Sequence, residues 1–171
     1  MTTDRPYFHA FFFRRLPLLL LLSLLAGCSV LSPYSKQTRL DISVIADNQL
    51  NPDINGRPSP VVIKLLELKR PTTAESMDFF SLYQRTEDVL ANDLAASEIV
   101  ELRPGDRIEL KLKLHEGSRY FAVLAAYRSL SETRWRHVIQ VSPGQQNRAV
   151  FLLGESGIYR TDNRAHAGNS L

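Results

Sequence analysis

The sequence contains a single cysteine, Cys28, in 171 residues. A disulfide within the chain is therefore excluded, even in an oxidising compartment that would permit one. The folded part must be stabilised by its hydrophobic core alone. The length is sufficient for one domain of roughly 120–130 ordered residues, which buries enough apolar surface without covalent links.

The sequence also lacks the residue patterns of common active sites. No Gly-x-Ser-x-Gly nucleophile motif occurs. Three histidines have neither His-x-x-x-His spacing nor a nearby cysteine to form a zinc site: His115, His137 and His166. Four carboxylates occur singly at positions that we expect to face solvent: Asp41, Glu67, Glu101 and Glu109. A glycosidase-like pair stays open, since pairing is spatial, but we predict no enzyme, no metal and no cofactor.

A basic surface for nucleic acid is not indicated either. The chain has a formal net charge of +3, and residues 1–27 hold three arginines and one aspartate. The remainder has 18 Lys and Arg against 17 Asp and Glu. This near balance predicts no nucleic-acid partner.

The apolar run near the N-terminus is too short to span a bilayer comfortably. Residues 16–25 follow Arg14 and Arg15, whereas a spanning helix needs about 20 apolar residues and a signal peptide about 7–15. The run ends in Leu25-Ala26-Gly27-Cys28, which matches the bacterial lipobox. We predict that residues 1–27 are a lipoprotein signal peptide and that lipid is attached to Cys28; a buried free cysteine is the alternative.

The residues after Cys28 predict the membrane and the distance from it. Ser29 stands where an aspartate would retain a lipoprotein at the inner membrane, so the outer membrane is favoured, with the domain facing the periplasm. Residues 28–37 have no periodicity and include Pro33, which is typical of a tether. The nine residues from Ser29 to Gln37 reach at most ~30 Å. Two or three acyl chains, as in similar lipoproteins, would give stable attachment.

Alternating apolar residues predict a mainly β fold. We expect seven short strands at 38–46, 61–69, 98–102, 108–114, 120–127, 135–141 and 148–153. The run at 61–69 is continuously apolar, as expected where both faces are covered. The third and fourth strands are predicted to form a hairpin across Pro104-Gly105, with one face in water. This pattern favours a β-sandwich.

Residues 72–95 interrupt the strand pattern. Apolar residues recur at helical spacing behind a possible capping box of Thr72 and Glu75. We predict a helix near 73–85 and a shorter one near 87–94. Their large side chains, Phe80 among them, are expected to close one end of the sandwich core; a groove for a partner is the alternative.

The loop that begins at Asn51 imitates the opening of a calcium-binding EF-hand. Asn51, Asp53 and Asn55 alternate, and Gly56 is sixth. The twelfth position falls on Val62, where a bidentate glutamate is needed. We therefore interpret the segment as a turn fixed by proline and glycine.

Several motifs carry a family resemblance. Residues 50–53 (LNPD), 55–60 (NGRPSP) and 61–68 (VVIKLLEL) are followed by 78–83 (DFFSLY), 102–105 (LRPG), 120–128 (YFAVLAAYR) and Trp135-Arg136. In this order, behind a lipobox, they resemble the type VI secretion lipoproteins called TssJ or SciN, over nearly all of residues 28–158. The resemblance implies a transthyretin-like β-sandwich of seven or eight strands with a helical insertion. We place the domain at 38–158 and expect a disordered tail at 159–171.

The resemblance also implies a partner. It would be the periplasmic C-terminal domain of TssM, which forms a membrane complex with TssL, and the contact would involve the loop at 47–60. The residues that we assign to the contact are Asn51, Asp53, Asn55, Arg57 and Ser59. Prolines limit the freedom of this loop, which lowers the entropic cost of ordering it on binding. The same prolines could instead brace the crossing between the two sheets, which is the alternative role. A stand-alone ligand-binding lipoprotein and a cell-wall hydrolase remain as alternative functions.

Overall fold

The computed structural model describes residues 37–161. Cys28, the predicted signal peptide, most of the tether and residues 162–171 lie outside the described residues. The strands are β1 (Arg39–Ala46), β2 (Val61–Leu68), β3 (Leu94–Leu102), β4 (Arg107–Lys113), β5 (Tyr120–Ala125), β6 (Arg136–Gln140), β7 (Gln146–Gly154) and β8 (Gly157–Arg160). Three short helices are α1 (Thr72–Ser76), α2 (Phe79–Gln84) and α3 (Thr86–Leu90), followed by a 3-10 turn at Ala91–Asp93. None of these helices could cross a membrane.

The strands form two four-stranded sheets. Sheet A has the order β4-β1-β7-β8, and sheet B has the order β3-β2-β5-β6. The β1–β7 pair is parallel, whereas the other five strand pairs in the described domain are antiparallel. The predicted mainly β sandwich with a helical insertion after the second strand is confirmed.

The main core lies between the two sheets. Alternate residues of β1, such as Leu40 and Val44, are fully buried there with Phe121 of β5 and Phe151 of β7. Period-2 alternation produces this face because successive strand side chains point to opposite sides. Burial of such apolar side chains is the main stabilising contribution in a domain that has no disulfide.

A second core lies on the outer face of sheet B. Leu66 and Leu68 of β2 and Leu124 of β5 pack there with Leu82 of α2 and Leu90 of α3. Both faces of β2 and β5 are thus covered, as their continuous apolar runs predict. The helices cover a sheet face, and the expectation that they close one end of the sandwich is wrong.

The helical segment differs from its prediction in detail. The capping box does not form, since α1 begins after Pro71 with no side-chain cap. Asp78 caps α2 instead, because its Oδ1 accepts a hydrogen bond from Ser81 N at 2.9 Å. Hydrogen bonds from Ser81, chiefly the one from its backbone, lower the pKa of Asp78. The break before α2 turns Phe80 outward with 60% exposure, so the expectation that Phe80 is core is wrong.

The predicted hairpin of the third and fourth strands is also wrong. β3 belongs to sheet B and β4 to sheet A, so the turn at Pro104-Gly105 carries the chain from one sheet to the other. Gly105 has a φ of +85°, and its N–H donates to Ala46 O at 3.2 Å. A glycine permits this conformation without strain. The alternation of apolar and polar residues in β4 shows only that one face of the strand is exposed to solvent. It does not show which strand lies beside β4.

An eighth strand extends the domain past the predicted boundary at residue 158. β8 pairs with β7 through Arg160, and Arg134 donates from its backbone N to Ser156 O at 3.0 Å. Gly157 has a φ of +126°, and a Cβ there would lie 2.5 Å from Arg134 N and O. Only glycine fits this crossing. β8 was not predicted because its four residues are too few to show a clear alternation of apolar and polar residues.

Candidate partner-binding loop

The loop at 47–60 connects β1 of sheet A to β2 of sheet B, and its base is tied into the domain. Asn51 is 4% exposed. Its Nδ2 donates to Pro60 O at 2.8 Å, and its Oδ1 accepts from Arg128 N at 2.9 Å. Leu50 is fully buried, and its carbonyl accepts from Ser59 N at 3.0 Å. Asn51 therefore joins both ends of the loop to the segment that follows β5.

Two of the five predicted contact residues are internal. Asn51 and Ser59 are both buried, and Ser59 Oγ donates to Arg57 O at 3.4 Å. Their polar groups are engaged within the domain, so they cannot present a contact surface without the loop opening. This geometry assigns Asn51 and Ser59 to bracing, the alternative role.

The loop tip is a tight turn built on Asp53. Its Oδ1 accepts from Asn55 N at 2.8 Å and from Arg57 N at 2.9 Å. Its backbone N–H donates to Arg57 O at 2.8 Å, and Gly56 adopts a φ of +76°. One oxygen of the carboxylate that would serve as a calcium ligand, Oδ1, thus accepts from two backbone amides. Within residues 37–161, no group of three or more His, Cys, Asp or Glu side chains could hold a metal ion.

The turn directs three side chains into solvent. Ile54 is 100% exposed, and Asn55 and Arg57 are also exposed. The Arg57 guanidinium has no hydrogen bond or ion pair with another residue of the described domain. An internal Arg57–Asp53 ion pair is therefore not formed. Ile54 was not predicted, although an isoleucine between two turn-forming polar residues is a sequence signal for an exposed apolar side chain.

A small cavity of about 150 Å³ lies beside the loop base. Asn51, Pro52, Tyr127, Thr133 and Glu155 are among its lining residues. The hydroxyls of Tyr127 and Thr133 are buried without a hydrogen-bond partner in the described domain. Burial and the neighbouring Tyr159 raise the pKa of Tyr127, which keeps this phenol neutral. Sites for organic ligands are typically ~300–1,000 Å³, so this cavity is too small to be one.

The prediction that Glu67 faces solvent is wrong. Glu67 is 6% exposed. It accepts hydrogen bonds from His115 N, from His115 Nδ1 at 3.1 Å and from Ser118 Oγ at 2.5 Å. This carboxylate fixes the turn between β4 and β5 onto the end of β2. Because both of its oxygens are engaged in holding the turn, we assign Glu67 a structural role.

Comparison with known proteins gives a consistent result. The family model for the type VI secretion lipoproteins VasD, EvfM and TssJ matches residues 38–156. The crystal structure of the type VI secretion lipoprotein TssJ1 from Pseudomonas aeruginosa is 31% identical, with a TM-score of 0.72 over 73% of this chain and 95% of that one. No curated protein sequence matches this chain significantly.

Two further solved structures share the fold. Lip of Serratia marcescens, a membrane-bound component of the type VI secretion system, is 27% identical, with a TM-score of 0.67 over 72% of this chain and 97% of that one. A chain from a type VI membrane complex is 21% identical, with a TM-score of 0.64 over 73% of this chain and 98% of that one. At 21% identity, the similarity to the chain from the membrane complex shows the fold alone.

Proposed function

Because this chain belongs to the type VI secretion lipoprotein family, we propose that it anchors the secretion membrane complex to the outer membrane through lipid on Cys28. The domain faces the periplasm and binds the periplasmic C-terminal domain of TssM, and through it the TssM–TssL complex. The contact surface is the tip of the loop at 47–60.

The main support for this contact surface is that some residues of the loop fix its conformation while others are exposed at its tip. Asn51 and Ser59 hold the base, and Asp53 shapes the tip with two hydrogen bonds from backbone amides. The side chains of Ile54 and Arg57 remain exposed. A loop that is ordered before binding loses less conformational entropy on association.

The chemistry of the tip suits an interface. Arginine is enriched among the residues that carry interface energy, and its planar guanidinium can bind a carboxylate or two carbonyls on the partner. A single exposed apolar side chain is ordinary on a protein surface. Beside an unpaired guanidinium on a braced turn, however, Ile54 offers an apolar contact that would exclude water from a polar one. Asn55 lies between them and can supply amide hydrogen bonds.

The test compares Arg57→Ala with a matched arginine elsewhere. We expect Arg57→Ala to lower the affinity for the TssM domain at least tenfold, or ~1.4 kcal/mol, with an unchanged melting temperature. Arg39→Ala is the control, because Arg39 lies at the opposite end of β1 from the loop, about 25 Å away at strand spacing. Calorimetric titration gives the affinities, and thermal melts give the stabilities.

The other outcomes identify a different role. If Arg57→Ala lowers the melting temperature while folded molecules keep their affinity, the side chain braces the loop. If neither quantity changes, the Arg57 side chain is outside the interface, and Ile54→Asp then tests the tip itself. Retained affinity in both variants contradicts the proposed contact surface.

A further inference from the structure

The outer face of sheet A concentrates cations at one end. The strand register places Arg39 of β1 opposite Lys113 of β4 and Gln146 of β7. Two residues further along, it places Asp41 opposite Lys111 and Arg148. Residues directly opposite each other share a face of the sheet. Four cations and one carboxylate therefore occupy the first two outward-facing rows.

The rest of this face is less basic. The third outward row contains Ser43, Glu109 and Val150, and the fourth contains Ile45, Arg107 and Leu152. The excess of positive charge, +3 in the first two rows, is thus confined to the end where β1 begins. We name the four residues Arg39, Lys111, Lys113 and Arg148 the basic end.

Sheet stability does not explain the basic end. All four side chains are exposed, and none forms an ion pair within the described domain. The Asp41 carboxylate accepts a hydrogen bond from Gln146 Nε2 at 2.8 Å, a neutral donor. Like charges directly opposite each other destabilise an antiparallel pair, and Arg39 and Lys113 stand in that relation.

The chain enters the domain at this end. β1 begins at Arg39, and residues 29–38 separate it from Cys28. Ten residues span roughly 35 Å when fully extended. A lipid on Cys28 would therefore hold the basic end close to the membrane surface, where a millimolar effective concentration allows individually weak contacts to form.

We propose that the basic end binds the anionic phospholipid headgroups of the membrane that holds the lipid anchor. This inference rests on the lipidation in the proposed function but not on the TssM contact. Electrostatic attraction to anionic lipid raises binding about fivefold for each cation at the surface and decays within a Debye length. With the basic end on the membrane, the loop at 47–60, at the other end of β1, points away from it.

The experiment uses the mature chain from residue 28 with Cys28→Ser, which cannot be lipidated. Its binding is measured by flotation with vesicles of phosphatidylcholine alone or with about one third phosphatidylglycerol. We expect binding only to the anionic vesicles and its loss at high salt, where the Debye length falls to about 3 Å at 1 M. Replacing both lysines, Lys111→Gln and Lys113→Gln, should weaken binding about 30-fold. Lys69→Gln, at an exposed site after β2, should leave it unchanged.

A second measurement uses the lipidated protein in the same vesicles. Acylation of lysine amines, followed by mass spectrometry, should be slower at Lys111 and Lys113 in anionic vesicles than in neutral ones, with Lys69 as the internal reference. Absence of binding to anionic vesicles at low salt, equal binding to both vesicle types, or binding insensitive to the double substitution would overturn the proposal.

The two proposals fail separately. The double lysine variant should keep its full affinity for the TssM domain, and Arg57→Ala should keep its vesicle binding. A loss of TssM affinity in the lysine variant would assign the basic end to the protein partner and contradict a role at the lipid surface.

Discussion

Asp53 Oδ1 lies 2.9 Å from the backbone nitrogen of Arg57 and accepts its hydrogen bond. The same oxygen accepts from Asn55 N at 2.8 Å. Asp53 thus determines the shape of the loop tip, while the guanidinium of Arg57 points outward. The hydrogen bond joins the Asp53 side chain to the Arg57 backbone and does not involve the Arg57 side chain. Asp53 therefore has a structural role, whereas the Arg57 side chain is available for a partner.

Replacing Asp53 should weaken binding indirectly. Asp53→Ala removes the acceptor of two backbone amides, which can turn to water because the tip is exposed. We expect a loss of about 1 kcal/mol in the free energy of unfolding and a several-fold lower affinity for the TssM domain, since the loop must then be ordered on binding. Denaturant unfolding and calorimetric titration measure the two effects. Asp53→Asn keeps the Oδ1 acceptor and should restore most of the affinity; an Asn variant as weak as Asp53→Ala would point to a charge contact instead.

Asn51 should matter chiefly for stability. Asn51→Ala leaves Pro60 O and Arg128 N without their partner inside the domain. The backbone at Asn51 has a φ of 46°, which asparagine tolerates better than alanine. We expect a loss of about 2–4 kcal/mol in the free energy of unfolding. Asn55→Ala, at the exposed tip, should change it by less than about 0.5 kcal/mol. Equal losses in the two variants would show that the Asn51 bridge is not a specific brace.

Local patterns in the sequence predicted most strands but not their neighbours. In β1, the alternation of Leu40, Ile42 and Val44 specifies a strand with one buried face, and the structure has it. The same kind of alternation in β4 cannot distinguish β3 from β1 as its neighbour. Which strands pair depends on how the two sheets pack, so the hairpin across Pro104-Gly105 was predicted where a sheet crossing occurs.

The errors in the helical segment and at Glu67 have related causes. One continuous helix would have placed Phe80 on the apolar stripe, but the break between α1 and α2 changes the phase of the stripe. Glu67 lies on the same face of β2 as the buried residues Ile63 and Leu65. Its hydrogen-bond donors belong to His115 and Ser118, about fifty residues further along the chain. A partner so distant in sequence leaves no local signal. Within the loop, the sequence motif identified the segment, but its buried and exposed residues are distinguished only by the fold.

Leu82 and Phe80 should differ in their effect on stability, opposite to their sizes. Leu82 is fully buried in the second core, whereas Phe80 is 60% exposed. Leu82→Ala should cost about 2–5 kcal/mol through lost contacts and a cavity. Phe80→Ala should cost less than about 1 kcal/mol, since it loses chiefly its contact with the Phe79 ring, 5.5 Å between centroids. Chemical denaturation decides this. A larger loss for Phe80→Ala would mean that its ring is covered in solution, as in self-association.

Cys28 should decide where the protein resides. Cys28→Ala removes the thiol that accepts lipid, and the signal peptidase for lipoproteins then lacks its lipidated substrate. We expect the variant to be lost from washed outer membranes and secretion to fail, while the domain at 38–160 keeps its melting temperature. Membrane fractionation and a secretion assay measure the outcome. A variant that stays in the outer membrane with full secretion contradicts lipid anchoring.

Glu67 should stabilise the turn between β4 and β5 in a way that a glutamine cannot reproduce. Three donors converge on its two oxygens: His115 N, His115 Nδ1 and Ser118 Oγ. Glu67→Gln preserves the shape but replaces one acceptor oxygen with a donor that faces another donor. We expect a loss of about 2 kcal/mol in the free energy of unfolding, because a hydrogen bond to a charged group is stronger than a neutral one and an unsatisfied buried donor remains. Amide hydrogen exchange at His115 should also be faster, since this amide donates to Glu67.

The pairwise contribution of Glu67 follows from a double-mutant cycle with Ser118→Ala. If the serine acts through the carboxylate, its substitution should cost less in the Glu67→Gln background than in the native protein. Glu101→Gln, on the exposed face of β3, is the matched control and should change the free energy of unfolding by less than about 0.5 kcal/mol. An additive cycle, together with an unchanged exchange rate at His115, would show that the buried carboxylate does not hold the turn. Since the turn lies outside the loop at 47–60, none of these variants should alter affinity for the TssM domain among folded molecules.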